Sequence, residues 1–548
     1  MRNFAIVIAC FFLSCAPKSS NEEITAPVNI LWIVAEDLSP IIPSFGDSTI
    51  ITPHLSRLAR EGVCYDRVFS PSGVCAPSRA AIATGMYPTR FGANNMRTGP
   101  WFTSNLPEEF IKTYVKNAMP EGIPAHQAVP PPKARMMSEH LRKAGYYCTN
   151  NAKEDYQFLN GTMAWDESSN KAHWRNRAAG QPFFSIFNIN VTHESQIWAK
   201  ANDSLWVEED LEVPVPPYLP STDSSLIDIR RMYSNIKEMD TRVGEILMEL
   251  EEDGLLESTV IFWYTDHGGP LPRQKRLTYD SGLHVPMIVR HPNAAHSGTR
   301  NPQLVSFIDF APTILSLAGL VAPDHMNGQA FLGTYKSKDR GYIHAAADRF
   351  DEGPVDHIRA VRDDRYKLIK YYNQELPMFY HVNYRDQQPI MRELHRLRAN
   401  GLLSPEQALW FRETKPEFEL FDTASDPHEL HNLIDQEPYQ KIRLRLQEEL
   451  NRWITEERDL NLLPEAELLE IITDNGKMNS TSTPIIKREK GSVEIVTNTQ
   501  GASIGYQLSN NKNEGWSLYK GPIELPDSIG ITAVAHRLGY KPSNQVKG

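Results

Sequence analysis

Three pairs of ionisable residues stand where apolar runs stop. Glu36-Asp37 directly follows the run Asn29 to Ala35, His193-Glu194 comes shortly after Phe183 to Ile189, and Asp266-His267 closes the run that begins at Thr259. Glu36, Asp37 and Asp266 offer hard carboxylate oxygens and His267 a nitrogen, a set suited to a divalent cation such as Ca²⁺. No calcium loop of the EF-hand type is present, so such a site has to be assembled from distant segments. Any one pair alone is most often a solvated loop. Three pairs in the same position relative to an apolar run point to one shared crevice.

The elements that must position these groups follow from the runs themselves. Asn29 to Ala35, Phe183 to Ile189 and Thr259 to Tyr264 are rich in β-branched and aromatic residues and do not alternate. That pattern predicts strands buried on both faces, as in a parallel sheet covered by helices. Between the second and third runs, Met232, Ile236, Met239, Val243, Ile246 and Leu250 recur at spacings of four and three, which predicts an amphipathic helix. In open α/β sheets ligands bind at the carboxyl ends of the strands, where all three pairs fall. The 548 residues exceed one ordinary core, and 41% hydrophobic with 23% charged residues is a soluble globular composition. Sixty-eight acidic against 57 basic side chains give a net charge of -11, which disfavours a nucleic-acid binder. A local basic pocket still governs the field that a small anion meets at close range. Five cysteines rule out a disulfide scaffold.

One segment is more specific. Cys75-Ala76-Pro77-Ser78-Arg79 followed by Ala80 to Thr84 and Gly85 resembles the signature of type I sulfatases, C-x-P-S-R leading into a short helix that ends in T-G. The resemblance runs from about Val28 to about Leu433 and includes Thr52-Pro53-His54-Leu55, Glu61-Gly62-Val63, Phe418 to Asp422 and Asp426-Pro427-His428-Glu429. It implies an alkaline-phosphatase-like α/β fold: a mixed, mainly parallel sheet covered by helices, a smaller C-terminal antiparallel subdomain, and oxidation of Cys75 to formylglycine (3-oxoalanine) by a maturation enzyme during export. Cys64 and Cys148 lack this context and read as small buried hydrophobes. A plain thiolate attacking a sulfate ester would leave sulfur bonded to sulfur. A hydrated aldehyde avoids this, since one hydroxyl attacks and the other can later lose its proton, so that the aldehyde reforms and sulfate is expelled.

The resemblance also implies roles for single residues. Cys75 lies at the N-terminus of its helix, where the dipole favours an oxyanion; Arg79 holds the diol, and the metal, bound by Glu36, Asp37, Cys75, Asp266 and His267, pairs with its other oxygen. Lys153 and Lys275 fit the two lysines that contact sulfate. His193 fits the histidine that protonates the leaving alcohol, a task to which histidine is suited. Arg273 and Arg276 stay open between site and surface. Two departures stand out: many members have Asp-Asp where this chain has Glu36-Asp37, one methylene longer, and Asp155 stands where many carry a histidine two residues after the first lysine. An acid there repels sulfate unless paired or protonated, so metal, lysine or sugar hydroxyls are its open partners. His267 replaces the commoner asparagine, as in some relatives.

Residues around Asn95, Arg97, His173 and Arg175 resemble a branch near the sulfoglucosamine sulfohydrolases and algal-polysaccharide sulfatases, which makes these four candidate sugar contacts and a sulfated glycan the expected substrate. Ulvan-like and heparan-type chains both stay open. Two competing functions are a phosphatase or phosphonate monoester hydrolase of the same superfamily, and a degenerate glycan-binding surface lipoprotein.

The organisation expected along the chain begins with residues 1–14 as a signal peptide, whose apolar run Phe4 to Leu13 is too short to span a bilayer. Residues 15–27 form a tether, with Cys15 as lipidation site for an anchor of palmitate type; ordinary secretion is the competing reading. The anchored form would sit on a bacterial membrane, at the outer membrane or cell surface. A catalytic domain over 28–345, an α+β subdomain over 346–472, a polar linker over 473–490 and a small β-sandwich over 491–548 follow. In that last module, Trp516, Tyr519 and Tyr540 serve either sugar stacking or the core.

Overall fold

The computed structural model describes residues 28–98, 119–489, 491–510 and 515–548, so the signal segment and Cys15 lie outside the described residues. The central sheet contains β1 (Asn29–Ala35), β2 (Val63–Phe69), β3 (Tyr147–Asn151), β4 (Glu167–Ser168), β5 (Phe183–Ile189), β6 (Thr259–Thr265), β7 (His284–Arg290) and β8 (Thr299–Ser306). Their spatial order is β4-β3-β5-β1-β6-β7-β2-β8. Strands β3, β5, β1 and β6 run parallel, whereas β7 opposes both of its neighbours.

The absence of alternation in the sequence has a direct cause. Leu31, Ile33 and Ala35 of β1 enter one core and Ile30, Trp32 and Val34 the other; β6 divides in the same way. A strand covered on both faces needs an apolar side chain at every position, each contributing roughly 1.5–3 kcal/mol when fully buried. Helices α1 (Pro53–Glu61) and α4 (Asp223–Glu252) cover the first face, and α2 (Cys75–Thr84), α3 (Met137–Lys143) and α5 (Phe310–Leu317) the second. The helix expected between the second and third runs is α4, which buries Met232, Ile236, Met239, Val243 and Leu250.

The C-terminal subdomain is a four-stranded antiparallel sheet, β12-β11-β10-β9, built from β9 (Ile343–Ala347), β10 (Ile358–Arg362), β11 (Tyr366–Tyr371) and β12 (Phe418–Asp422). Helix α6 (Pro389–Ala399) packs against α4, and α7 (Gln440–Glu457) buries Leu446, Leu450 and Trp453 on this sheet.

The last module contains β13 (Ile485–Glu489), β14 (Ser492–Val496), β15 (Ser503–Leu508), β16 (Ser517–Leu518), β17 (Ile523–Glu524), β18 (Ile531–His536) and β19 (Val546–Lys547), a sandwich of two antiparallel sheets in the orders β13-β14-β17 and β16-β15-β18-β19. Its first strand, β13 (Ile485–Glu489), lies within the stretch expected to be linker. Its side chains are exposed or half-buried, so the sequence there is as polar as a linker, yet its backbone pairs with β14 (Ser492–Val496). The module is seated on the catalytic domain: Arg142 donates to the Trp516 carbonyl at 2.8 Å, the Thr162 amide donates to His536 Nδ1 at 3.0 Å, and Leu538 joins the core that contains Trp165. The Tyr519 hydroxyl accepts from the Ile495 amide and Tyr540 lies under the Arg537 guanidinium, so both rings have packing roles. Among the described residues no helix is long and apolar enough to cross a membrane.

Candidate active site

The carboxyl ends of β1, β5, β6 and β3 bring the chemistry together. Glu36 and Asp37 leave β1, Asp266 and His267 leave β6, Asn188 closes β5 ahead of His193 and Glu194, and Lys153 follows β3. Cys75 is the first residue of α2, whose far end is closed by Gly85 in the left-handed region. The turn before it is pressed against the chain, since a Cβ on Gly73 would lie 2.6 Å from the Leu277 carbonyl oxygen and the Arg276 amide donates to the Gly73 carbonyl. Only glycine permits that approach.

The centre is a compact set of charges. The Asp37 amide donates to Asp266 Oδ1 at 3.1 Å, Cys75 Sγ lies 3.3 Å from His267 Nε2, and that nitrogen lies 3.0 Å from Asp37 Oδ1. Lys275 donates to Asp37 Oδ2 at 2.7 Å, and the Glu194 amide donates to the same oxygen at 2.7 Å. Arg79 donates to Asp266 at 3.0 Å and to Asn188 at 2.7 Å. His193 Nε2 lies 3.3 Å from Lys275 Nζ, while its Nδ1 accepts from the Ser195 amide at 3.3 Å. Nδ1 also lies 2.9 Å from Ser195 Oγ, and Nε2 is the nitrogen facing the cluster.

Burial alone would raise the Asp37 carboxyl, but Lys275, His193 and His267 hold it well below the usual carboxylate range. Asp266 is held down in the same way, chiefly by Arg79. Burial would also raise the Cys75 thiol; Lys153 and Lys275 bring it down to about 7. The carboxylates of Asp266 and Asp37 carry His267 up to about 10 against the opposite pull of burial.

These residues fit a divalent cation. Asp37, Cys75, Asp266 and His267 are all buried and present one donor atom each within 4.8 Å of one another. Two carboxylates, a thiol and an imidazole converging on one point are a donor set of the kind a divalent cation takes. His267 Nδ1 lies 3.1 Å from the Gly268 carbonyl; donation there frees Nε2 as a ligand. Arg79 Nη2 is buried without a hydrogen-bond partner, an orphaned donor of the kind that an oxygen-bearing ligand satisfies.

Glu36 stands apart from the four. It accepts from Lys153 at 2.8 Å and groups with Asp37 and His193. Beside this centre opens a cavity of about 570 Å³ whose lining includes Glu36, Arg97, Lys153, Asp155, Asn188 and Tyr384. Asp155 is paired there, 3.5 Å from Arg97 and 4.0 Å from Lys153. Asn95 is buried nearby and uses its carbonyl to accept from Gln157.

His173 and Arg175 do not join the group. His173 lies 2.9 Å from Glu249 and Arg175 donates to Asp253 at 2.7 Å, so both tie their loop to the C-terminal end of α4. Nor are Arg273 and Arg276 surface charges. Arg276 grips Glu194 with two bonds, at 2.8 and 2.9 Å, and donates to Asp351; Arg273 lies between the rings of Tyr218 and Tyr279. Asn188 and Tyr384 escape a reading of the sequence, although an asparagine inside an otherwise apolar strand is a visible anomaly.

Known proteins share sequence and fold with this chain. The sulfatase family model matches residues 28–320, and the model for the C-terminal part of N-sulphoglucosamine sulphohydrolase matches 273–398. An ulvan-active sulfatase of Formosa agariphila is 46% identical over 99% of this chain and 96% of its own. Human N-sulphoglucosamine sulphohydrolase is 22% identical over 79% of this chain and 91% of its own. A solved structure in complex with its substrate D-glucosamine-2-N,6-O-disulfate has a TM-score of 0.57 at 17% identity, covering 79% of this chain and 99% of that one, a likeness of fold.

Proposed function

Because the chain belongs to the sulfatase family and is a sulfuric ester hydrolase of sulfated polysaccharide, we propose that its substrate is an ulvan-type glycan and that Cys75, oxidised to formylglycine by a maturation enzyme, is its nucleophile. The observation that carries this reading is the convergence of Cys75 with two ionised carboxylates, one imidazole and the cations Lys153, Lys275 and Arg79 at four strand ends. Hydrated formylglycine would supply a hydroxyl for attack and a second one for release of sulfate. A divalent cation, Ca²⁺ in this proposal, would be held by Asp37, Asp266, His267 and the side chain at 75, and would polarise sulfate oxygen.

The chain's own groups divide the remaining work. Lys153, bonded to Glu36, and Lys275, bonded to Asp37, would bind the sulfate oxygens. Arg79 orients the side chain at 75 from within the same helix. His193 holds a proton at Nε2 for the departing sugar oxygen, which is too basic to leave unassisted. Lys275 Nζ and His193 Nε2 lie 3.3 Å apart, close enough to act on one bound sulfate ester. Glu194, locked by Arg276, keeps Lys275 in place at 3.1 Å.

Substrate class is tested by measuring inorganic sulfate released from ulvan oligosaccharides and from N-sulfated glucosamine oligosaccharides. Preferential release from the first is expected; preference for the second would move the enzyme to the heparan-type branch. Conversion of Cys75 is tested by the mass of its tryptic peptide, which falls below that of the thiol form. We also propose export and lipid anchoring at Cys15 to the outer membrane or cell surface, checked by whether Cys15→Ala abolishes labelling with palmitate.

A further inference from the structure

Away from the crevice, the seam between catalytic domain and sandwich module encloses a cavity of about 460 Å³. Its cations come from two parts of the chain: Lys133, Arg135 and Lys143 from α3 and the turn before it, and Lys520 from the module. Glu139 is the one acid in the lining, and it is buried, 3.1 Å from Arg135 and hydrogen-bonded by Ser503. That leaves three lysines, all exposed, in no ion pair among the described residues. His140 adds a buried Nε2 without a hydrogen-bond partner. In a chain with a net charge of -11, this is a local field of the opposite sign.

The two walls are fixed relative to each other. A Cβ on Gly501 would lie 1.7 Å from the Pro132 carbonyl oxygen, so the module's chain lies directly on the segment that carries Lys133. Arg142 beside Lys143 donates to the Trp516 carbonyl at 2.8 Å, close to Lys520 in sequence. The backbone segments that carry the lysines are therefore fixed relative to each other before any ligand arrives, and only the lysine side chains remain to be ordered on binding. Lysines are compact charges on flexible stems. They suit repeated sulfate groups whose exact geometry varies along a polymer.

We propose that this seam is a second, non-catalytic binding site for sulfated polysaccharide, which retains the polymer while the crevice removes sulfate elsewhere along it. The proposal rests on the polysaccharide reading above. No residue of the crevice lines the seam.

The test is affinity electrophoresis of the full chain through gels holding dextran sulfate or neutral dextran, comparing wild type with the triple variant K133A/K143A/K520A. Retardation of the wild type by dextran sulfate alone is expected, with affinity falling about tenfold in the triple variant, the combined weight of three exposed charges. Turnover of nitrophenyl sulfate, too small to span both sites, should stay within twofold and confirms an intact crevice. Equal retardation of variant and wild type overturns the proposal, as does a loss of binding that comes with an equal loss of turnover, because the lysines would then be structural. Failure of the wild type to release sulfate from any polysaccharide would instead overturn the substrate reading, and the binding comparison would still stand.

Discussion

Asp37, just past the end of β1, and Asp228, on the helix that covers the sheet, are both buried carboxylates, and they behave in opposite ways. Around Asp37 stand Lys275, His193 and His267, which hold it well below the usual range. Asp228, on α4, has the Ile390 amide at 2.7 Å and Arg392 as the only opposing groups, and burial pushes it up to about 7. Burial is therefore not what distinguishes the crevice; the cations gathered around the carboxylates are. A site built to grip an anion and a metal needs charges of both signs held at fixed distance, whereas a carboxyl at a helix contact needs only its one amide.

The sharpest break of this comparison is removal of the nucleophile. Cys75→Ala should abolish turnover and leave the thermal unfolding midpoint near that of the wild type, because it leaves every charge in the crevice paired. Retention of a tenth of wild-type activity would refute the assignment of Cys75. Next in size, exhaustive chelation should inactivate the enzyme and added Ca²⁺ should restore it. Unchanged activity after verified loss of metal would mean that the four-residue cluster is balanced by its own protons and cations.

A smaller but more discriminating effect separates proton transfer from sulfate binding. His193→Ala should slow hydrolysis of a sugar sulfate by roughly 10² to 10⁴, the range for a positioned acid. A nitrophenyl sulfate, whose leaving group is already a stable anion, should lose less. Lys275→Met should hurt both alike, since the sulfate gripped is the same. Equal losses in the His193 variant would move that residue from acid catalysis to sulfate binding.

Much of this centre is legible in the sequence because it hangs on strands that are buried on both faces, and such strands announce themselves as unbroken apolar runs. The residues that hold the functional groups are less visible. Arg276 finds Glu194 at a separation of 82 residues and Arg79 finds Asn188 at 109, so no local pattern connects them. His173 and Arg175 show the reverse error: their partners, in the last turn of α4 and just past its end, lie 76 and 78 residues on, and without those carboxylates two basic residues in a loop resemble ligand contacts. The strand β13 was hidden for a simpler reason. A strand with exposed faces has a linker's composition, and its pairing is a property of the backbone.

The smallest expected effect tests the other half of the comparison. Asp228 in the folded protein releases its proton near pH 7, whereas in the unfolded chain it does so near the ordinary value of about 3.9. Between these values the native state holds a proton that the unfolded state has lost, so this residue's contribution to stability declines as pH rises through that window and is flat beyond it. Asp228→Asn keeps an oxygen to accept from the Ile390 amide and has no charge to bury. The variant should match the wild type at pH 4 and exceed it at pH 8 by on the order of 1–3 kcal/mol, read as a midpoint difference that grows with pH. A variant no more stable than the wild type at pH 8 would show that Arg392 reaches the carboxylate in solution, and Asp228 would then belong with Asp37, as a carboxylate held by a cation.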